Sequence, residues 1–450
     1  MVVADLRHLA GVLYENVRSY YYPRPVLIRN RSLRALLVAE VVSSTGSAMT
    51  FVALPWFVLV TTGSATRVSL VLAAEVLPMA LLGIPSGSVV SRLGSRMSML
   101  VADAARAPLL LLVPVLHSAG VLTFPLLLVI VFVLGVFIAP YVSAQRTVIP
   151  ELFGDDETLV SKASGLFGGA NQVPLVIGPA IAGALIAWFG APSLLVVDSL
   201  TFLFAFAVVL LFVHAGRRVP QDEESRGVLA GVRYLSKDRL LGPFTLTVVV
   251  LDGAANAIAV AVPLLAFTRY DESPHVAGYV FTAFGVGAVI GSIAVVRLLD
   301  LVAPLRLACF GIVLATLPLW VIAADVPWPV VCAATLVCGF FVPTVNAPLM
   351  GILTTRPPAA IRAKVMTAVL TASGVGAPLG RLAVGPIFNR YGNTGVWIAL
   401  AGGLSVGALL FVAAVMRASA GDAPDVVAVP AVADPEAHAG CERARPQLGA

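Results

Sequence analysis

Seven charged side chains, Glu40, Glu75, Asp103, Arg106, Asp198, Asp252 and Arg381, stand inside long apolar runs of a 450-residue chain. If those runs lie in hydrocarbon, each charge near a helix centre costs about 2.5–3.5 kcal/mol even on a lenient insertion scale. A carboxyl group in a low-dielectric place favours its neutral form, which suits a group that takes up and releases a proton. Glu75 and Asp252 lie deepest, about 10–15 Å along their runs at a helical rise of 1.5 Å per residue, and are the favoured proton or substrate groups. The opposing reading is permanent neutralisation by a partner such as Arg381. Glu40 and Asp198 sit nearer the ends of their runs and can snorkel. Asp103 and Arg106 are three residues apart, so they share a helix face and can pair in a structural or gating role. Asn171, Gln172 and the Ser/Thr-rich stretch from Ser43 to Thr50 can hydrogen-bond a substrate or join helices. Asn256 shares a face with Asp252.

The elements that position these groups follow from composition. The chain is 59% hydrophobic and 12% charged, with a mean hydropathy of +0.96, where soluble domains are about one quarter charged. This excludes a water-soluble fold. Runs of about 20 apolar residues, each long enough to cross a bilayer as a helix, predict an all-α polytopic membrane protein. Twelve such helices are predicted, over 33–60, 67–90, 97–117, 121–144, 161–189, 193–214, 242–267, 275–298, 303–325, 328–353, 365–388 and 394–416. The first is too long for the apolar core of a signal peptide.

Lys and Arg are retained on the cytoplasmic side in short loops. With the N-terminus inside, 24 of the 29 basic residues fall on that side and only Arg67, Arg269 and Arg390 on the other. Shifting the register by one helix destroys this asymmetry, so it supports both the even count and cytoplasmic termini. The polar stretch 215–241 splits the spans six and six, as a cytoplasmic linker between halves 33–214 and 242–416. The halves echo one another at Gly87-Ser88 and Gly291-Ser292, and where Pro150 and Pro357 precede basic turns. Parallel repeats of this kind suit a carrier that rocks one half against the other. Residues 1–32 carry Leu6, Leu9, Leu13 and Val17 at helical spacing, which predicts a short amphipathic helix at the membrane surface. Residues 417–450 are rich in Ala, Pro and acids and predict a disordered cytoplasmic tail.

Other chemistries find little support. The net charge of +5 is spread over short loops and forms no stripe for nucleic acid. The four cysteines lie at no ligand-like spacing to histidine, so no metal and no cofactor is expected. Neither a His/Glu/His arrangement nor a Ser/His nucleophile appears, so an intramembrane enzyme is disfavoured. Gly285, Gly287 and Gly291 have the wrong interval for a nucleotide loop and read as a helix-packing seam.

Two glycine motifs are more specific. After the second run comes Gly87-Ser-Val-Val-Ser-Arg92-Leu-Gly94-Ser-Arg96, which resembles the loop motif of the major facilitator superfamily. Gly87, Arg92, Gly94 and Arg96 match, whereas Ser91 and Ser95 replace an Asp and a basic residue. The fifth run carries Gly165 and then Gly178-Pro179-Ala-Ile-Ala-Gly183, similar to the family's antiporter motif, with Pro174 and Ala182 at two of its glycine positions. Together with Ala53-Leu-Pro55-Trp56, Asp103-Ala-Ala-Arg106, Pro140 with Arg146 and Pro150, and Arg362-Ala-Lys364-Val365, the resemblance extends over about residues 30–416. It points to the branch of macrolide-efflux and enterobactin-exporter-like proteins.

The resemblance implies a monomeric secondary transporter in the bilayer that exports small amphipathic molecules by alternating access, commonly in exchange for protons. It also implies that the loop motif locks a gate, with the missing Asp weakening the lock. The family's Arg in the fourth helix is absent, and position 47, an acid in many members of the branch, is Ser. No coupling residue is therefore carried over from either place. An importer of the same fold and a non-transporting sensory protein are the alternatives. Arg- and Ala-rich, Lys-poor usage suggests a bacterial cytoplasmic membrane.

Overall fold

The computed structural model describes residues 29–154, 156–214, 233–236, 238, 241–357 and 359–421, and every long element among them is an α-helix. The amphipathic helix expected before residue 29, most of the linker and the tail beyond 421 lie outside the described residues. The helices are α1 (Arg31–Thr62), α2 (Ala65–Leu93), α3 (Ser95–Ser118), α4 in two segments (Phe124–Val136 and Ile138–Phe153), α5 (Glu157–Phe189) and α6 (Ala191–Phe212). They continue with α7 (Leu241–Arg269), α8 (Pro274–Leu301), α9 (Pro304–Ala323) and α10 (Trp328–Thr355). The last helical run, Ala359–Gly421, breaks at Gly392 (φ 67, ψ −168) into α11 (359–391) and α12 (393–421). Eleven of the described runs are long and apolar enough to cross a membrane. The final one contains this break, so the described residues hold twelve helices of the kind that crosses a membrane.

Local chemistry explains the boundaries. Asn30, Ser64 and Asp156 cap α1, α2 and α5 by accepting backbone N–H bonds from Leu33, Arg67 and Leu159, satisfying donors that a helix start leaves free. α4 runs nine residues beyond its expected end at 144. Its break at Phe137 is explained by Pro140, which cannot donate to the Val136 carbonyl and crowds it. The Phe137 N–H bonds Leu134 instead. At Gly392 the conformation is one that only glycine adopts readily. Gly392→Ala is expected to cost about 1–3 kcal/mol, to be read as a lower unfolding midpoint in detergent.

Successive helices alternate in direction, so the bundle has two ends: one carries the turns at Gly63, Gly190, 270–273 and Gly392, the other those at Gly94, Gly154 and 302–303. The largest buried apolar cluster joins the two sets of six helices, bringing Trp56, Val68, Leu72 and Ile186 together with Val260, Leu264, Val276 and Val384. Two further clusters do not cross between them. One contains residues between Leu33 and Val213, the other residues between Leu235 and Val415. The two sets are thus packed as one core toward the Gly63 end and have separate cores toward the Gly94 end.

The joint is built by α2 against α11 and α5 against α8. Phe51 meets Phe281 edge-on at 5.1 Å and Trp56 meets Phe267 at 5.7 Å between ring centroids. A methyl group on Gly183 would lie 2.8 Å from the Pro274 carbonyl oxygen and 3.3 Å from Gly278 Cα, so closure here depends on the absence of side chains. The Gly285, Gly287 and Gly291 seam packs on Leu175 and Val176 of α5 and on Leu336 and Phe340 of α10.

Candidate functional site

Glu75 of α2 and Arg381 of α11 meet across the joint with Nη1 to Oε2 at 2.9 Å. The same nitrogen donates to the Leu72 carbonyl at 2.7 Å, and Nε donates to Asn256 Oδ1 of α7 at 3.2 Å. Arg381 is only 6% exposed, and its planar fork is suited to several acceptors at once. Asn256 in turn donates to the Asp252 carbonyl oxygen at 3.0 Å. The Asp252 side chain is hydrogen-bonded with Ser373 and lies in the field of Arg381. Glu75, Arg381, Asn256 and Asp252 therefore form one polar site, built from both halves beside the closed joint. Asn389 donates to Thr66 Oγ1 at 2.8 Å nearer the Gly63 end.

A second polar group lies inside the first half. Glu40 of α1 accepts hydrogen bonds from Ser44 at 2.7 Å, Tyr141 at 3.3 Å and Gln145. Ser44 also donates to Asn171 Oδ1 of α5 at 3.3 Å. Asp198 of α6 accepts from Thr50 at 2.6 Å and Thr201 at 2.9 Å. Glu40 and Asp198 are 3% and 1% exposed, which corrects the expectation that they snorkel: neighbouring hydroxyl and amide donors hold them inside. Asp103 is 0% exposed, and neither carboxylate oxygen has a hydrogen-bond partner. The expected pairing with Arg106 is electrostatic only, with no hydrogen bond between the two. The Arg106 guanidinium lies instead 4.0 Å above the Phe202 ring and 5.4 Å from that of Tyr141, a cation–π seat that competes with the carboxylate.

The loop motif holds its turn by other means than the missing Asp would supply. Gly94 ends α2 through a bond from its N–H to the Val90 carbonyl at 2.7 Å. Ser95, standing where the motif has a basic residue, donates to Glu151 at the end of α4. Arg96 donates to the Leu210 carbonyl at 2.8 Å, tying α3 to α6. Gly87 lies within α2, and Arg92 is exposed. Of the antiporter-like residues, Gly178 packs on Ala48, while Pro179 and Gly183 form the close approach to α8 at Gly278. Gly165 has nothing within 4 Å of where a side chain would start, so it takes no part in that seam. Gln172 is exposed.

Sequence reasoning missed Tyr141, Gln145, Thr201 and Ser373 among the partners of the acids, whereas Thr50 belongs to the Ser/Thr-rich stretch expected to join helices and does so at Asp198. Gln145 falls just beyond the expected end of α4, and the others carry no local signal. A separate apolar cavity of roughly 330 Å³ lies between α7, α11 and α12, lined by Gly253, Gly376, Gly380 and aliphatic side chains. No polar side chain lines it.

Comparison with known proteins agrees with this architecture. The Major Facilitator Superfamily model matches residues 36–380 and 244–439. The multidrug efflux pump Tap of Mycolicibacterium fortuitum is 24% identical over 376 residues, covering 82% of this chain and 92% of that protein. The Tap pump of Mycobacterium tuberculosis strain H37Rv is 24% identical over 378 residues, covering 81% of this chain and 89% of its own length. Among solved structures, the nucleoside transporter NupG superposes with a TM-score of 0.72 at 14% identity, covering 85% of this chain and 98% of that one. A POT family transporter in complex with 5-aminolevulinic acid superposes with a TM-score of 0.71 at 10% identity, covering 87% and 97%.

Proposed function

The chain belongs to the Major Facilitator Superfamily, and on that premise we propose that it exports small amphipathic compounds across the cytoplasmic membrane by proton antiport. The observation that carries alternating access is the core that joins the halves at one end and divides at the other. The export direction is supported by relatives named as multidrug efflux pumps. The positive-inside rule places the Gly94 end in the cytoplasm. The arrangement described is then inward-facing, closed to the outside by the α2/α11 and α5/α8 contacts. The working unit is a monomer of two halves, 33–214 and 242–416, with both termini cytoplasmic.

Coupling is assigned to Glu75 and Asp252. Glu75 pairs with Arg381 across the joint, and this contact holds the outer end shut. The empty carrier then cannot return outward without cargo, which is what obligatory exchange requires. Cargo opens the pair only by binding the outward state more tightly, because a ligand shifts a conformational equilibrium solely through its differential affinity. The largely uncharged central helices favour a hydrophobic or weakly polar cargo.

The reading is tested in proteoliposomes with an imposed pH gradient and a panel of lipophilic dyes and macrolide-like compounds, following proton and cargo together. Coupled outward movement is expected. A silent panel with well-folded protein argues against broad export, and inward accumulation replaces it by import. The closed end has its own test. Gly183→Val overpacks the α5/α8 contact, at about 1–3 kcal/mol in the closed state alone. Spin-label distances between the Gly190 and 270–273 turns should therefore lengthen, and an unchanged distribution removes this contact from the gate.

A further inference from the structure

We infer that the core of the first half, where Glu40, Asp103 and Asp198 lie around Arg106, is a proton-binding site that holds an exchangeable proton on Asp103, separate from the Glu75–Arg381 contact. The three carboxyl groups come from α1, α3 and α6, and each is 3% exposed or less. Each lies within electrostatic reach of the single guanidinium of Arg106, which stays charged at any physiological pH. One cation balances one carboxylate. Of the remaining carboxyl groups, one that lacks both a cation and hydrogen-bond donors is uncompensated, a state that buried groups avoid by taking up a proton.

The hydrogen bonds show where the charge and the proton sit. Glu40 is served by three donors and Asp198 by two, so either can carry the negative charge. Asp103 has none on either oxygen, although it lies in the fields of Glu40, Asp198 and Arg106. A buried carboxylate without a donor is the most costly member of the group, so a proton resides on Asp103. Arg106 is seated on the Phe202 and Tyr141 rings. From there it is available to whichever acid loses its proton.

The other groups facing the site are few. Tyr141 enters from α4, and α5 contributes the uncharged Asn171. From α2, the charge of Glu75 reaches Asp198. That last coupling connects the store to the interface: a change of charge at Glu75 alters the balance within the group. Among the described residues no three acidic, His or Cys side chains converge as the shell of a metal ion would require. The chemistry therefore favours the proton as ligand.

Use of the store in transport rests on the antiport reading above, whereas its proton occupancy does not. Infrared spectroscopy of the full chain in lipid nanodiscs, titrated from neutral to alkaline pH, reads occupancy directly. The wild type should show protonated-carboxyl bands that shift in heavy water and fade as the pH rises. Asp103→Asn should remove one component, and Asp103→Glu should restore an exchangeable band at a shifted position. Asp198→Asn and Glu40→Gln should change the titration of what remains, and the Asp103 component should persist in Glu75→Gln. Asp103→Asn should also keep cargo exchange at equal pH on both sides while losing gradient-driven accumulation. Bands and titration identical in wild type and Asp103→Asn overturn the site, whatever the transport result. If the bands behave as expected but the wild type moves no protons with cargo, the site stands and the antiport reading falls.

Discussion

In Arg381→Met the Gly63 end of the bundle opens. Arg381 is nearly buried and holds three partners on two helices, Glu75, the Leu72 carbonyl and Asn256. Glu75 keeps a 26% exposed side chain, so losing Arg381 costs less than the roughly 3–5 kcal/mol of halving a fully buried pair, and the cost comes largely from leaving Glu75 uncompensated. That penalty applies only where Glu75 is enclosed. In an outward-open arrangement the joint separates and Glu75 meets water, so the loss falls on the closed state alone. A bias of about 1.4–2.8 kcal/mol changes the ratio of closed to open molecules by a factor on the order of 10–10². Spin-label distances across the Gly63 end should move from a short to a long population. Glu75→Gln combined with Arg381→Met removes both charges and should recover much of the short population, since neutral replacement of a buried pair costs far less than halving it. Short distances retained in Arg381→Met exclude the pair as a latch.

The second large effect concerns coupling. Glu75→Gln and Asp252→Asn should each abolish pH-gradient-driven cargo movement, because an amide keeps the shape of the acid and cannot give up its proton. The two should differ in conformation. Glu75→Gln weakens the contact with Arg381 and should lengthen distances at the Gly63 end. Asp252 bonds Ser373 and only shares the field of Arg381, so Asp252→Asn should leave those distances in place. Wild-type pumping in both variants removes these acids from the coupling path.

The fold was legible because hydrocarbon leaves the chain few choices. Apolar runs of the right length announced each crossing, and observed helix ends such as Arg31, Ser95 and Arg269 fall within a few residues of the expected 33, 97 and 267. The largest difference is at α4, which runs to Phe153, nine residues past the expected 144. The site was legible in residue types and much less in pairings. Arg381 could be named as a neutralising group, but 306 residues separate it from Glu75, and only the packing of α2 on α11 brings them together. At Asp103 and Arg106 local spacing showed the shared face and its electrostatic coupling but not the hydrogen-bonding geometry. Three residues on a helix permit a pair, yet the rings of Phe202 and Tyr141, contributed by two other helices, offered the guanidinium a different seat. Glu40 looked able to reach water because nothing nearby in sequence shows that Tyr141 and Gln145 lie against it.

The glycine break between α11 and α12 sets the leverage of the whole latch. Arg381 stands eleven residues from Gly392, about 16 Å along the axis at 1.5 Å per residue. A tilt of α11 by about 10° about this pivot would displace Arg381 by about 3 Å, and the far end of the helix, about 50 Å away, by about 9 Å. The ion pair sits on the short arm, where a bond of 2.9 Å is undone by a rotation that sweeps the far end several times as far. A small electrostatic event near the pivot is thereby geared to a wide movement at the opposite mouth.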